Sequence, residues 1–509
     1  MSVAQPLSGL LQGIVEHSEA DCLIESLAID SRLVRDETFF LALPGEGEQQ
    51  GLDFLADALA QGAVALLRPA EVTLTSEQKM LLQQADIVDL PVMNIRYVAG
   101  QLISRFYQNS SRQQTLIGVT GTDGKTSISH FIAQALNTPQ TPCGILGTLG
   151  VATVDQLQDS AVQQGSRTTV DVLQLHQTLS AWVQQGVKQA VMEVSSHGLQ
   201  QQRIAGAQFD VAVLSNLGRD HLDYHQTLEA YREAKRKLFY QTDLKWAVLN
   251  LDDEFGRELM QELSSEGRSG LIGYGLSAAA QSRDQLWADQ LRFDASGLNF
   301  LLHWQGESLP LRTALLGKFN VSNLLAAAAT LLALGFELAE VVQRLAGMKP
   351  VIGRMESFTA PNRALLVVDY AHTPQALQAA LESLRLHTRG RLFCLFGCGG
   401  DRDAGKRPLM AAVAERLADR LVISDDNPRS ESPEMIMQQI LSGMTAPEKA
   451  HCEHDRGKAI EWLLQQSRAE DVVLVAGKGH ENYQLMAGQR LSFSDREAVQ
   501  QGLQGDVGV

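Results

Sequence analysis

Apolar runs broken by short polar clusters divide the chain into three blocks. Across 1–112, apolar runs at Ala28–Ile29, Thr38–Leu43 and Ala63–Leu67 alternate with helical stretches and predict a small α/β module. The polar run Asn109-Ser-Ser-Arg-Gln-Gln114 reads as a linker. In 113–347, strand-like runs recur at Thr115–Thr120, Ala190–Val194, Val211–Ser215 and Ala247–Asn250, with helical patterns between them. That alternation predicts βαβ units and a parallel sheet. Residues 287–315 read as antiparallel hairpins, and a helix follows from Asn320 to Leu334, stopped by Gly335.

The third block, 348–509, begins near Met348-Lys-Pro350. Its expected strands are Ala364–Asp369, Arg391–Phe396, Leu421–Ser424 and Val472–Ala476, with helices at 374–387, 406–418, 433–443 and 457–467. This is the pattern of a doubly wound, Rossmann-like domain. Every strand runs into Gly or polar residues: Asp369-Tyr-Ala-His372, Gly397-Cys-Gly-Gly-Asp401, Asp425-Asp-Asn-Pro-Arg429 and Gly477-Lys-Gly-His-Glu481. Ligands of open α/β sheets bind outside the carboxyl ends of strands, so four such loops point to one crevice.

Composition narrows the function. The 509 residues are 44% hydrophobic and 20% charged, with room for about three domains. A formal charge of −16 gives no global attraction to nucleic acid or anionic membrane, so bound phosphate must be held by local geometry. The five cysteines are scattered; Cys394 and Cys398 lack a second pair, which argues against zinc. Sparse thiols, no basic n-region in MSVAQPLSGLLQGIV and no apolar run of membrane-spanning length lead to the expectation of a cytoplasmic monomer.

The sharpest local signal is Gly118-Val-Thr-Gly-Thr-Asp-Gly-Lys-Thr126, leaving a strand and opening a helix. Backbone N–H groups of such a loop cradle phosphates. Gly121, Thr122, Asp123 and Gly124 would form the cradle, Lys125 would reach the β/γ-phosphates and Thr126 would bind Mg²⁺. Val119 stands where the strict P-loop spacing has glycine. Glu193, at a strand end, is either a polar cap or a metal-binding carboxylate. Asn216-Leu-Gly-Arg-Asp-His-Leu-Asp-Tyr-His225 is either a capped polar loop or linked to Mg²⁺. The cationic run Arg232, Lys235, Arg236 and Lys237 reads as a solvated helix face, and periodicity does not single out Lys235.

Together, Thr120-Gly-Thr-Asp-Gly-Lys-Thr126, Glu193-Val-Ser-Ser196, Asp220-His-Leu-Asp223, Gly317-Lys-Phe-Asn320-Val-Ser-Asn323, Gly353-Arg354 and Asp369-Tyr-Ala-His372 resemble the Mur ligase family over all three blocks. The resemblance implies a nucleotide-substrate domain at 1–112, a central ATPase at 113–347 and a mobile amino-acid-binding domain at 348–509. It implies ATP contacts from Asn323, Arg354 and Asp369 and a carbamylated Lys235. Two Mg²⁺ ions would lie on Thr126, Glu193, His221 and Lys235, with Lys125, Lys235 and His221 as catalytic groups. Substrate contacts would fall on Ser31, Thr168, Thr169, Ser195, Gln201 and Arg203. Asp426-Asn427-Pro428-Arg429, with Arg402, Gly477 and Glu481, resembles the signature of the members that add meso-diaminopimelate to UDP-MurNAc-L-Ala-D-Glu. The segment Ala42-Leu-Pro-Gly-Glu-Gly-Glu-Gln-Gln-Gly51 departs from the family pattern, so no uridine contacts are carried over there. Competing expectations are an L-lysine-adding ligase, a folylpolyglutamate synthetase, a non-catalytic P-loop switch and a nucleotide kinase.

Overall fold

The computed structural model describes residues 4–16, 21–45, 50–156, 167–277, 280–281 and 284–504. Two compact units divide the chain, Met1–Ile272 and Gly273–Val509. The architecture is α/β with mostly parallel sheets.

Within the first unit, four parallel strands stand in the order Ser26–Ala28, Thr38–Leu41, Ala63–Pro69 and Val88–Val92. The central sheet places Thr115–Thr120 between Val211–Leu214 and Gln189–Glu193, parallel to both. Trp246–Asn250 extends one side, Cys143–Gly147 and the antiparallel Gly150–Thr153 the other. Thr115–Thr120 and Gln189–Glu193 are buried along almost their whole length, as strands covered on both faces must be. The turn Gly121–Gly124 therefore emerges from an interior strand of the sheet. Pattern reading missed Cys143–Gly147, whose CGILG sequence is poor in strand formers. Gly144 is required there because a Cβ would lie 2.4 Å from the Trp182 ring.

In the second unit, Leu286–Asp294, Gly297–Trp304 and Glu307–Thr313 form the expected antiparallel meander. The helix Lys318–Ala333 follows, buried on nearly all sides. A six-stranded sheet has the order Glu356–Phe358, Leu365–Asp369, Val472–Ala476, Leu392–Phe396, Arg420–Ile423 and Ala450–Cys452. Only its first pair is antiparallel. Alternate residues of Val472–Ala476 face opposite ways. Val472, Leu474 and Ala476 meet the helices Pro374–Arg385, Lys406–Leu417 and Pro433–Leu441. Val473 and Val475 meet Arg456–Gln466 and Asp495–Gln504. The sheet is thus doubly wound, and its four interior strands are those expected from sequence, to within a residue at each end.

His176, on the helix Val172–Gln184, is fully buried and donates from Nε2 to the Ala205 carbonyl at 2.9 Å. Burial lowers its pKa to about 4. Below pH ~6.5 the unfolded chain takes up a proton that the native chain refuses until about pH 4. Its contribution is full above pH 6.5 and disappears as the pH falls through 4, a loss of ~3 kcal/mol. Urea midpoints of wild type and His176→Gln should converge over this interval; a constant gap would contradict the assignment.

Candidate active site

The strand Thr115–Thr120 ends in Gly121-Thr-Asp-Gly124, and the helix Lys125–Leu136 begins without a side-chain cap. Its first N–H groups are left for a ligand. Gly121 has φ +145°, and a Cβ on it would lie 1.8 Å from Ser215 Oγ. The loop after Val211–Leu214 braces this turn. Asn216 Oδ1 accepts from Asp123 N at 3.0 Å, Ser215 Oγ donates to Asp123 O at 2.5 Å, and Thr122 Oγ1 meets the Tyr231 hydroxyl at 3.0 Å.

Two lysines converge on one carbonyl. Lys125 Nζ donates to Gly121 O at 3.0 Å and to Thr122 O at 2.7 Å; Lys235 Nζ donates to Gly121 O at 2.7 Å. The solvated-face reading of Lys235 is therefore overturned: the residue is 1% exposed, and its Nζ lies 4.4 Å from the centre of the Tyr231 ring. Burial, then the charge of Lys125, push its pKa well below that of an ordinary lysine. The helix Leu228–Arg236 turns Arg232 and Arg236 outward to glutamates and Lys235 inward. The charge run conceals this position because one of its own cations, Lys235, shares the inward face with Tyr231 and Ala234.

Thr126 Oγ1 donates to Glu193 Oε2 at 2.9 Å, and Glu193 Oε1 accepts from Thr148 N at 2.9 Å. Glu193 is fully buried. His221 is partly exposed, with φ +54° and Nε2 3.4 Å from Asp220 Oδ2. Its ring is 4.8 Å from that of His197. Among the described residues no cluster of three or more His, Cys, Asp or Glu could hold a metal. Thr126 and Glu193 are nonetheless close enough to share one ion.

A cavity of about 1090 Å³ brings Ser31, Gln201 and Arg203 together. Five arginines (Arg32, Arg35, Arg96, Arg167 and Arg203) line it against three aspartates, a positive lining in an acidic chain. Of these arginines, sequence reading identified only Arg203. Its Nε and Nη2 donate to Gln201 Oε1 at 3.0 and 2.6 Å, and Nη1 to Thr169 O at 2.9 Å. Thr169 Oγ1 in turn meets Glu193 O at 3.0 Å and Ser195 Oγ at 2.9 Å, while Thr168 Oγ1 lies 3.2 Å from Thr148 Oγ1. A chain of hydrogen bonds thus ties the cavity wall to the strand end that carries Glu193. Of the departing loop at 42–51, residues 46–49 lie outside the described residues.

The second unit gathers its strand-end loops as expected. Asp369 accepts from Met355 N at 2.7 Å and Ala371 N at 2.8 Å, and burial raises its pKa. Arg354 lies 4.6 Å over the Tyr370 ring, its buried Nε without a hydrogen-bond partner among the described residues. Asn323, on the helix Lys318–Ala333, donates to Asn320 Oδ1 at 2.9 Å. Asp426, Asn427 and Pro428 are buried, Arg402 is exposed, and Glu481 Oε2 accepts from Asn427 Nδ2 at 2.9 Å. Arg429, with φ +56°, donates from Nη1 to Gly400 O at 2.7 Å. The hairpin Tyr483–Met486 and Gln489–Ser492, absent from the sequence reading, holds this loop. Arg429 N donates to Leu485 O, and Ala487 N to Arg429 O, both at 2.9 Å.

Family models match across the chain: "Mur ligase family, catalytic domain" at residues 23–107, "Mur ligase middle domain" at 119–331 and "Mur ligase, glutamate ligase domain" at 353–479. The chain belongs to the Mur ligase family and has its three domains. It is 47% identical, over 96% of both chains, to UDP-N-acetylmuramoyl-L-alanyl-D-glutamate–2,6-diaminopimelate ligase of Ectopseudomonas mendocina. It is 43% identical to the ligase of that name from Xanthomonas campestris, over 100% of this chain and 99% of the relative. A solved structure of a ligase of the same name superposes with a TM-score of 0.75 at 34% identity, with 100% of both chains covered. MurF from Acinetobacter baumannii, at 20% identity and a TM-score of 0.62 over 93% of this chain and 96% of its own, shares the fold.

Replacing Gly121 by Ala puts a side chain at φ +145° against Ser215. Strain of this kind costs ~1–3 kcal/mol, so ATP affinity measured by calorimetry should fall by about 5- to 150-fold. Unchanged affinity would show that this turn is not the phosphate cradle.

Proposed function

We propose that the chain is an ATP-dependent ligase that adds meso-2,6-diaminopimelate to UDP-N-acetylmuramoyl-L-alanyl-D-glutamate in peptidoglycan synthesis. The observation that carries this reading is likeness over the whole length to ligases of that name, at up to 47% identity. The loop Asp426–Arg429, set against Gly400 and Glu481, supports the choice of amino acid.

In this reading the γ-carboxylate of the D-Glu residue attacks the γ-phosphorus of ATP, releasing ADP and leaving an acyl phosphate. An amine of diaminopimelate then attacks the acyl carbon; inorganic phosphate leaves, a proton is lost, and the amide remains. Positioning and charge stabilisation carry most of the rate. Gly121, Thr122, Asp123 and Gly124 present the turn to the phosphates, and Lys125 leaves its carbonyl partners to meet them. By the family resemblance, Asn323, Arg354 and Asp369 are the nucleotide contacts of the second unit. Ser31, Thr168, Thr169, Ser195, Gln201 and Arg203 hold the UDP-linked peptide, for which the arginine-lined cavity has suitable size and charge.

Thr126, Glu193, His221 and carbamylated Lys235 are the residues that would hold two Mg²⁺ ions. Such ions, when bound, neutralise phosphate and carboxylate charge. The set suits oxygen-seeking cations only with added oxygens, since His221 and Glu193 are its sole imidazole and carboxylate. A carbamate on Lys235 supplies them, and a buried, neutral-leaning amine is the form that captures CO₂. The domain limits 1–112, 113–347 and 348–509, the cytoplasmic setting and the monomeric state belong to the same proposal. Among the described residues no helix is long and apolar enough to cross a membrane.

The deciding experiment is phosphate release with the UDP-linked dipeptide and a panel of amino acids. Release that requires meso-diaminopimelate is expected; release independent of any amino acid would favour a P-loop switch or kinase. Lys235→Ala should be nearly inactive and regain some turnover in formate or acetate, whereas wild-type turnover would leave Lys235 a packing residue.

Arg429 should select diaminopimelate over L-lysine, which lacks the second carboxylate. The Gly400 bond fixes one side of the guanidinium while leaving further N–H groups for that carboxylate. Arg429→Ala should lose ~1.5–3 kcal/mol of transition-state binding for diaminopimelate, about 10- to 150-fold in kcat/KM. An unchanged ratio of kcat/KM for the two amino acids would remove Arg429 as the selector.

A further inference from the structure

Gly477-Lys478-Gly479-His480-Glu481 follows the interior strand Val472–Ala476, and the Lys478 side chain is 0% exposed. Its Nζ lies 3.1 Å from Glu481 Oε2, 3.5 Å from Asp426 Oδ1 and 3.3 Å from Asn427 Oδ1. Asn427 is a crossbar between these groups. Its Oδ1 accepts from Lys478 and, at 2.9 Å, from Leu485 N; its Nδ2 therefore faces Glu481 Oε2 at 2.9 Å and Asp426 Oδ1 at 3.2 Å. The neighbouring cation Arg456 is committed elsewhere, to Asp495 at 2.7 and 2.9 Å and to Ala476 O at 2.8 Å.

We propose that Lys478 is a positioning residue for the amino-acid substrate, an internal ammonium that orients Asn427 and offsets one of two carboxylates. Asp426 and Glu481 then present one net negative charge to the ammonium at the far end of the amino acid. The proposal rests on the reading of Asp426, Asn427 and Glu481 as amino-acid contacts. Burial keeps Lys478 itself away from the ligand, so it acts only through those three. Without it, two adjacent carboxylates repel, and one must swing away or take up a proton. The amide of Asn427 then also loses a donor that sets its orientation.

Steady-state kinetics on Lys478→Met, Lys478→Arg, Asp426→Asn and the double variant Lys478→Met/Asp426→Asn test this. Lys478→Met should raise KM for meso-diaminopimelate by about tenfold or more, with KM for ATP within about twofold. Lys478→Arg, which keeps the charge, should recover part of the loss. The double variant restores a single negative charge and should have a lower diaminopimelate KM than Lys478→Met. An unchanged KM in Lys478→Met, a double variant no better than the single, or a parallel rise in KM for ATP would overturn the proposal. If Lys478→Met does not fold by circular dichroism, the double variant decides. A folded double variant with a diaminopimelate KM within about tenfold of Asp426→Asn supports charge balance, and any other result overturns it. Normal diaminopimelate KM in Asp426→Asn would instead remove the amino-acid reading of the loop, whatever Lys478 does.

Discussion

One carbonyl oxygen, that of Gly121, organises the first unit. It accepts from Lys125 and Lys235, which approach from different helices. Two full positive charges so close would repel, and burial makes the charge on Lys235 the costlier one to keep. Burial and the nearby Lys125 therefore push the Lys235 amine toward its neutral form. Much of the surrounding structure serves this arrangement. Gly121 admits Ser215, Ser215 and Asn216 pin Asp123, and Tyr231 reaches from the Lys235 helix to Thr122.

The alternation of apolar strands and helices made most of the fold legible, because interior strands of parallel sheets are continuous apolar runs. Thr115–Thr120 and Val472–Ala476 carry that signal undiluted. Cys143–Gly147 did not, since its glycine serves Trp182 rather than strand propensity. The edge strands Glu356–Phe358 and Ala450–Cys452 are too short to leave a pattern. At the site, glycine-rich turns and strand-end acids were visible as local clusters. Lys235 entered only through family resemblance, because a cation in a charge run reads as solvated even where, as here, it shares a buried face with Tyr231 and Ala234. The arginines at 32, 35, 96 and 167 were not found, since they lie in three separate segments that converge only in the folded cavity.

In the second unit, the loop Asp426–Arg429 owes its shape to a segment more than fifty residues downstream. The Tyr483–Met486 strand supplies Leu485 as both donor and acceptor, to Asn427 and from Arg429, while Gln484 donates to Asp425 O at 3.1 Å. The left-handed backbone at Arg429 is held from outside rather than by glycine. This loop is thus a joint product of three strand ends and one hairpin, and a change in the hairpin reaches the loop without altering any of its residues.

The positive cavity within a chain of net charge −16 has a kinetic consequence. If this cavity takes an anionic nucleotide sugar, as proposed, a molecule approaching from bulk solvent first meets a repulsive far field and only later an attractive near one. The two fields are screened differently, because the Debye length is ~8 Å at physiological ionic strength. Moderate salt removes the outer repulsion while the arginines at contact range keep their hold. Encounter rate and residence time then respond to ionic strength in opposite directions, the first rising before the second falls. The enzyme would capture its substrate most efficiently in an electrolyte resembling the interior of a cell rather than in dilute buffer.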